Sequence, residues 1–213
     1  MTIANTLIFK LLNRHPHYVV IFAALFLAFQ PKPSFAEDHQ RIIDQVTIFH
    51  STLITAMKNA DELGRSGRSN LINPVYQKVF NTPLMARIVV GRRWRQTSSA
   101  QKQRFTSAFQ SNNVAIYANR FDGYSGQSFK NLGTRPGPKK TLLIDTVLIN
   151  PGNDNVKLTY VAKRIKNKWW IIDVLLASGI SELAVKRSEY SRTLKTKGID
   201  ALTDILLAKS PMN

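Results

Sequence analysis

Few side chains in this 213-residue chain could do chemistry, and they are scattered. Asp173 is the single acid within the apolar run Lys166-Asn-Lys-Trp-Trp-Ile-Ile-Asp-Val-Leu-Leu-Ala-Ser-Gly-Ile-Ser181, and Asp145 sits in a second such run, Thr141 to Ile149. Burial of a carboxyl group in such surroundings raises its pKa, as a general acid or base requires. The partners that would complete a catalytic set are few. His39 and His50 are the only histidines beyond residue 36, and both fall in one early helical segment. The chain has no cysteine, which removes thiolate chemistry, and it contains no Gly-x-Ser-x-Gly, His-Glu-x-x-His, Gly-x-Gly-x-x-Gly or P-loop. An enzyme using Asp173 is therefore one reading. The other is an acid that bonds a neighbouring backbone N–H, an arginine or an indole.

Charge is the second chemical resource. Thirty Lys and Arg against 13 Asp and Glu give a formal net charge of +17. Gly91-Arg-Arg-Trp-Arg-Gln96 and Lys163-Arg-Ile-Lys-Asn-Lys168 concentrate it, with aromatic residues interleaved. Such runs could neutralise nucleic-acid phosphates, steer the chain to anionic membranes or acidic partners, or simply be a solvated surface. The first option is set aside because the N-terminus reads as an export signal. Lys10 and Arg14 precede the apolar stretch Tyr18 to Phe29, and Ser34-Phe35-Ala36 offers a small-x-small cleavage site. Twelve apolar residues are too few to span a bilayer, which takes about 20. The expected organisation is a signal peptide over 1–36 and one domain over 37–213. Three of the basic residues and none of the acids precede Glu37, so that domain would carry +14 over 177 residues. Its length suits a single core burying about 70% of the unfolded surface, with no need of disulfides.

The elements that must position these residues follow from periodicity. Ile42, Ile43, Val46, Phe49, Leu53, Ile54 and Met57 recur at helical spacing over Asp38 to Ala60, and Gly64 to Ser69 breaks the pattern. Short helices are expected at Asn73 to Phe80 and Pro83 to Val90. Ser98-x-x-Gln101 reads as a capping box opening a helix to Arg120, with Phe105, Ala108, Phe109 and Ile116 on one face. Strand patterns then take over at Ser128 to Thr134, Thr141 to Ile149, Asn155 to Ile165 and Lys168 to Leu176, with Arg135-Pro-Gly-Pro138 expected as a turn. The helical period returns at Ile180, pauses at Gly198 as at a helix end, and resumes to Leu206. Helices, a four-stranded antiparallel meander, then helices make an α+β architecture. The third and fourth strands of a one-sided sheet would alternate, yet Trp169 to Leu176 is apolar on both parities. Such a sheet wants cover on both faces, from helices or from a ligand.

Three stretches resemble a known family. Arg87 to Phe109, with its Gly-Arg-x-Trp-Arg turn and Phe-x-x-x-Phe helix, Tyr117 to Phe129, and Lys168 to Ser181 followed by Glu189 to Leu206 are similar to the MlaC family. It is also called the toluene-tolerance or ABC-transporter auxiliary family. The resemblance covers about Ile72 to Leu206. It implies an NTF2/cystatin-like helix-covered sheet enclosing a hydrophobic pocket, and a periplasmic lipid carrier with lipid as cargo and no cofactor, metal or catalysis. It implies as partners an inner-membrane ABC transporter complex and an outer-membrane lipoprotein, porin or exporter complex. The wording of Arg120 to Phe129 looks closer to the hopanoid-associated branch, so either phospholipid or hopanoid is an expected cargo. On that reading the lipid-binding candidates are Phe105, Phe109 and Ile116 from the helix, and Leu142, Ile144, Leu148, Val156, Leu158, Tyr160, Trp170, Ile172 and Val174 from the strands. Strand parity is the open point: with the odd face inward, Trp169 and Ile171 replace Trp170 and Ile172, and Asp173 moves inside.

Overall fold

The computed structural model describes residues 35–176 and 179–210, so the expected signal segment falls almost entirely outside the described residues. From Asp38 onward the chain forms one compact unit. Its elements are α1 (Phe35–Lys58), α2 (Ala60–Val79), α3 (Thr82–Val90), a 3₁₀ turn (Gly91–Gln96), α4 (Ser99–Arg120), strands β1 (Ser128–Gly137), β2 (Thr141–Ile149), β3 (Val156–Ile165), β4 (Lys168–Leu176) and β5 (Ile180–Ser181), then α5 (Glu182–Thr196) and α6 (Gly198–Ala208). The strands pair in sequence order β1-β2-β3-β4-β5, all antiparallel. The fifth strand is the two-residue return after Gly179, whose φ of +91° suits glycine, and it pairs only with Leu175 and Leu176.

Two expectations are corrected. The first strand does not stop at Thr134 but continues through Arg135, Pro136 and Gly137, paired with Leu143, Leu142 and Thr141. Proline is tolerated there because β1 is the sheet edge, where a missing N–H can face away from the ladder. The polar stretch Gly64 to Ser69 breaks the helix at its first residue only, and from Arg65 onward it is helical. It lies within α2, with a kink at Gly64 (φ 55°, ψ −173°). Arg68 and Ser69 are buried, and the Arg68 guanidinium donates to the carbonyls of Ala118 (2.9 Å) and Ala60 (2.8 Å). A run that looks solvated in sequence is a cross-link from α2 to the end of α4, with its charge resting on carbonyl dipoles.

The capping box is present as the sequence spells it. Ser98 Oγ accepts from Gln101 N at 3.2 Å, and Gln101 Oε1 accepts from Ser98 N at 3.1 Å. Ser98→Ala should lower stability by about 1 kcal/mol, a small drop in the urea midpoint without a change in slope.

The core lies between the helices and one face of the sheet. Ile144, Tyr160, Ala162, Ile171 and Val174 come from the strands, and Ile42, Phe49, Ile72, Phe80, Phe105, Phe109 and Leu206 from the helices. Phe49 is its aromatic hub, meeting Phe80, Tyr117 and Tyr76 edge-on at 5.2, 5.1 and 6.4 Å between centroids. Register is broken twice, at Leu132 on β1 and between β3 and β4. Val161 pairs with Asp173 and Ala162 with Ile171, leaving Ile172 as a bulge. Even positions face inward after the bulge, and odd positions before it, so Ile171 is fully buried and Trp169 packs on the core. The opposite face of the sheet is covered only in part: Val147, Val161, Ile172 and Leu175 are half-exposed among Lys157, Lys163 and Arg135.

Candidate functional site

A cavity of about 510 Å³ opens between α1, the end of α4 and the inner face of the sheet. Its apolar wall is built from Leu53 and Met57 on α1, Tyr117 and Phe121 at the end of α4, Phe129 on β1, and Leu148, Val156, Leu158, Tyr160, Val174 and Leu176 on β2 to β4. Spacing explains the helical share: Phe49, Leu53 and Met57 lie four residues apart on one stripe of α1, and the last two belong to the core while also bordering the cavity. The mouth is polar. Arg120 and Glu182 form an ion pair at 2.8 Å that joins the end of α4 to the start of α5. Gln127 donates to Asn150 at 3.0 Å, and Asp122 and Asn153 complete the rim. An apolar interior with a polar collar suits an amphiphile whose head stays near water.

Beside this wall lies a buried polar contact. His50 on α1 stacks on Phe129 with ring centroids 3.8 Å apart and an interplanar angle of 7°. Its Nε2 is 2.8 Å from the Tyr160 hydroxyl. Burial pushes the imidazole down to about 3, so it is neutral at ordinary pH. Burial also raises the Tyr160 phenol, which stays protonated. The pair pins α1 to β3 as a neutral hydrogen bond.

Of the candidates named from sequence, the structure brings Leu148, Val156, Leu158, Tyr160 and Val174 together on the cavity wall. Phe105, Phe109, Leu142 and Ile144 are buried in the core away from it. Ile116 borders two other hollows on the α5 side of α4. Trp170 and Ile172 do not border the cavity, because the bulge moves them to the other face, where Lys168 Nζ lies 3.6 Å from the Trp170 ring centroid. Leu53, Met57, Tyr117, Phe121, Phe129 and Leu176 are the wall residues that the sequence candidates missed. Their apolar spacing is visible in sequence, but nothing local separates a core position from a cavity position.

Both acids are structurally occupied. Asp173 does not line the cavity: it accepts from Ser181 Oγ (2.5 Å), Val174 N (2.8 Å) and Leu183 N (3.2 Å), tying β4 to the β5 return and the first turn of α5. Desolvation raises its carboxyl above the usual range, and those three hydrogen bonds oppose the rise. Asp145 lies on the sheet's outer face, where it accepts from Arg135 Nε (2.8 Å) and Thr159 Oγ1 (2.6 Å). The Arg135 hydrogen bond holds its carboxyl below the usual range. Asp173→Ala should cost about 2 kcal/mol by orphaning two backbone N–H groups, read as a lower urea midpoint. Among the described residues no cluster of His, Cys, Asp and Glu could hold a metal ion, and no helix is long and apolar enough to cross a membrane.

Comparison with known proteins agrees with this architecture. A structure described as the phospholipid-binding protein from Ralstonia solanacearum in complex with a phospholipid is similar to this chain at a TM-score of 0.64 and 19% identity, covering 78% of this chain and 95% of that one. At that identity the likeness carries the fold. The family model described as "MlaC protein" matches residues 49–208, which include every element from the second half of α1 to α6. The chain belongs to the MlaC family.

Proposed function

We propose that this protein is a periplasmic lipid carrier. It holds the apolar part of a phospholipid or hopanoid in the cavity behind the Arg120–Glu182 pair. It passes that lipid between an inner-membrane ABC transporter complex and an outer-membrane lipoprotein, porin or exporter complex, touching the membranes only transiently. The observation that carries the reading is the cavity: a continuous apolar wall from four strands and two helices, with charge confined to the mouth. The phospholipid complex of the structural neighbour supports it. The expected export signal over 1–36, with one domain over 37–213, supports the compartment.

Volume narrows the cargo. With about 30 Å³ for a water-sized group, and a methylene of similar size, 510 Å³ has room for one acyl chain or one fused polycyclic skeleton. At about 0.8 kcal/mol per buried CH₂, some 17 such groups are held against water by on the order of 14 kcal/mol. A bilayer hides the same surface, so transfer needs a docked, dry path and no covalent step. Native mass spectrometry of the purified chain, followed by solvent extraction, tests the function. A lipid or hopanoid at about one per chain is expected. A chain that neither co-purifies with lipid nor takes it from vesicles overturns the proposal.

A further inference from the structure

Away from the cavity, two hollows of 420 and 660 Å³ adjoin along the crevice between the 3₁₀ turn and α5. Arg92 and Arg187 border both and form the ridge between them. The first hollow adds Arg93 and Lys195, and the second adds Arg87, Arg95 and Lys102; neither is lined by a single Asp or Glu. The arginines that are ion-paired lie elsewhere: Arg104 with Asp204, Arg120 with Glu182 and Arg135 with Asp145. The crevice is thus a run of cations without carboxylates, on both of its walls.

Its geometry is fixed rather than merely exposed. Gly91 (φ +66°) lets the backbone turn beneath Arg187, and a Cβ at that position would lie 3.0 Å from Arg187 Nη2. The Arg187 guanidinium also approaches the Ile88 carbonyl at 3.5 Å. Trp94 floors the second hollow, edge-on to Phe105, with Lys102 Nζ 5.8 Å from its ring centroid. Five of the seven cations are arginine, whose planar fork matches carboxylates in two-point contact.

We propose that this crevice is a docking surface for an acidic polypeptide segment of a partner protein. The arginines of the 3₁₀ turn, facing Arg187 and Lys195 of α5 across the hollow, fit an extended or helical stretch whose Asp and Glu side chains reach both sides. A flat anionic bilayer fits it less well. The large exposed apolar side chains that would enter a membrane, such as Ile48, Tyr124, Leu132 and Ile205, are not among the crevice residues. The proposal goes beyond lipid carriage, since it assigns a protein contact to a surface separate from the cavity.

The test uses the full chain, a fluorescein-labelled decaglutamate peptide, and vesicles of phosphatidylcholine with or without phosphatidylglycerol. Arg92→Gln/Lys195→Gln removes one exposed cation from each wall. Lys130→Gln/Lys157→Gln removes the same charge from the sheet surface. The crevice variant should bind the peptide at least about tenfold more weakly than the unaltered chain at low salt, with the sheet variant unchanged and the lipid content of both intact. Equal weakening in the two variants means net charge alone and overturns the proposal. So does a crevice variant that loses vesicle binding while keeping peptide binding, which would mark a membrane surface. Loss of lipid from the unaltered chain would sink the carrier function and leave the crevice result standing.

Discussion

Leu158→Glu is expected to strip the carried lipid from an otherwise folded protein. Leu158 lies near the start of β3, flanked by Thr146 and Leu176 across the ladder, with its side chain on the cavity wall. A carboxylate there must either lose its water to an acyl chain or keep water in the cavity. An unpaired polar group facing apolar material costs about 2–3 kcal/mol, roughly 30- to 150-fold in affinity. Mass spectrometry after extraction should find almost no lipid, with a near-native circular dichroism spectrum, because the group can hydrate through the open mouth. Ile172→Glu is the matched control. It lies one strand away but on the opposite face because of the bulge, so its lipid content should equal that of the unaltered chain. A lipid-free Ile172→Glu together with a lipid-laden Leu158→Glu would show that the cargo sits on the other side of the sheet.

Acid should destabilise the fold through His50. The folded imidazole titrates at about 3 and the unfolded one near 6.5. Above pH 6.5 neither state holds the proton and nothing is lost. Below it the unfolded chain takes up a proton that the folded chain refuses, so stability falls as pH drops from 6.5 towards 3. At 1.36 kcal/mol per pH step this amounts to about 2 kcal/mol at pH 5 and about 3 kcal/mol at pH 4. Asp173 acts with the opposite sign: its raised carboxyl gains a proton more readily when folded, so its contribution is present at low pH and lost as pH rises through its folded value. His50→Gln keeps a polar atom for the Tyr160 hydroxyl and cannot titrate. Urea unfolding at pH 7, 6, 5 and 4 should show a slope for the unaltered chain that is mostly absent from this variant. Parallel slopes would mean that other groups carry the acid sensitivity.

Where residue order alone determines geometry, the sequence is legible: the Ser98–Gln101 box, the glycine stop at Gly198 and the sequential meander all follow from local rules. It is least legible where one residue shifts a pattern. The apolar run Trp169 to Leu176 has no gap that marks Ile172 as extra, so two of the three β4 candidates, Trp170 and Ile172, miss the cavity because of a bulge decided by β3. Arg68 misleads for a different reason, since its partners are the carbonyls of Ala60 and Ala118, and carbonyls leave no trace in composition. Leu53 and Phe49 share one apolar stripe, and what separates cavity wall from core is how far α1 extends beyond the packing partners of its first turns.

The sequential order of the sheet has a kinetic consequence. Every ladder joins neighbours in the chain through a short connection, so loop-closure entropy is small and the meander can zip up early. The cavity closes on another schedule. Leu53 and Met57 must find Leu148, Leu158 and Val174 across about a hundred residues of intervening chain, and the His50–Tyr160 contact spans 110. Docking of α1 is therefore the late, long-range event. The cavity-facing side of the sheet would then exist first as an open, greasy slab, and become an enclosed chamber only when α1 docks.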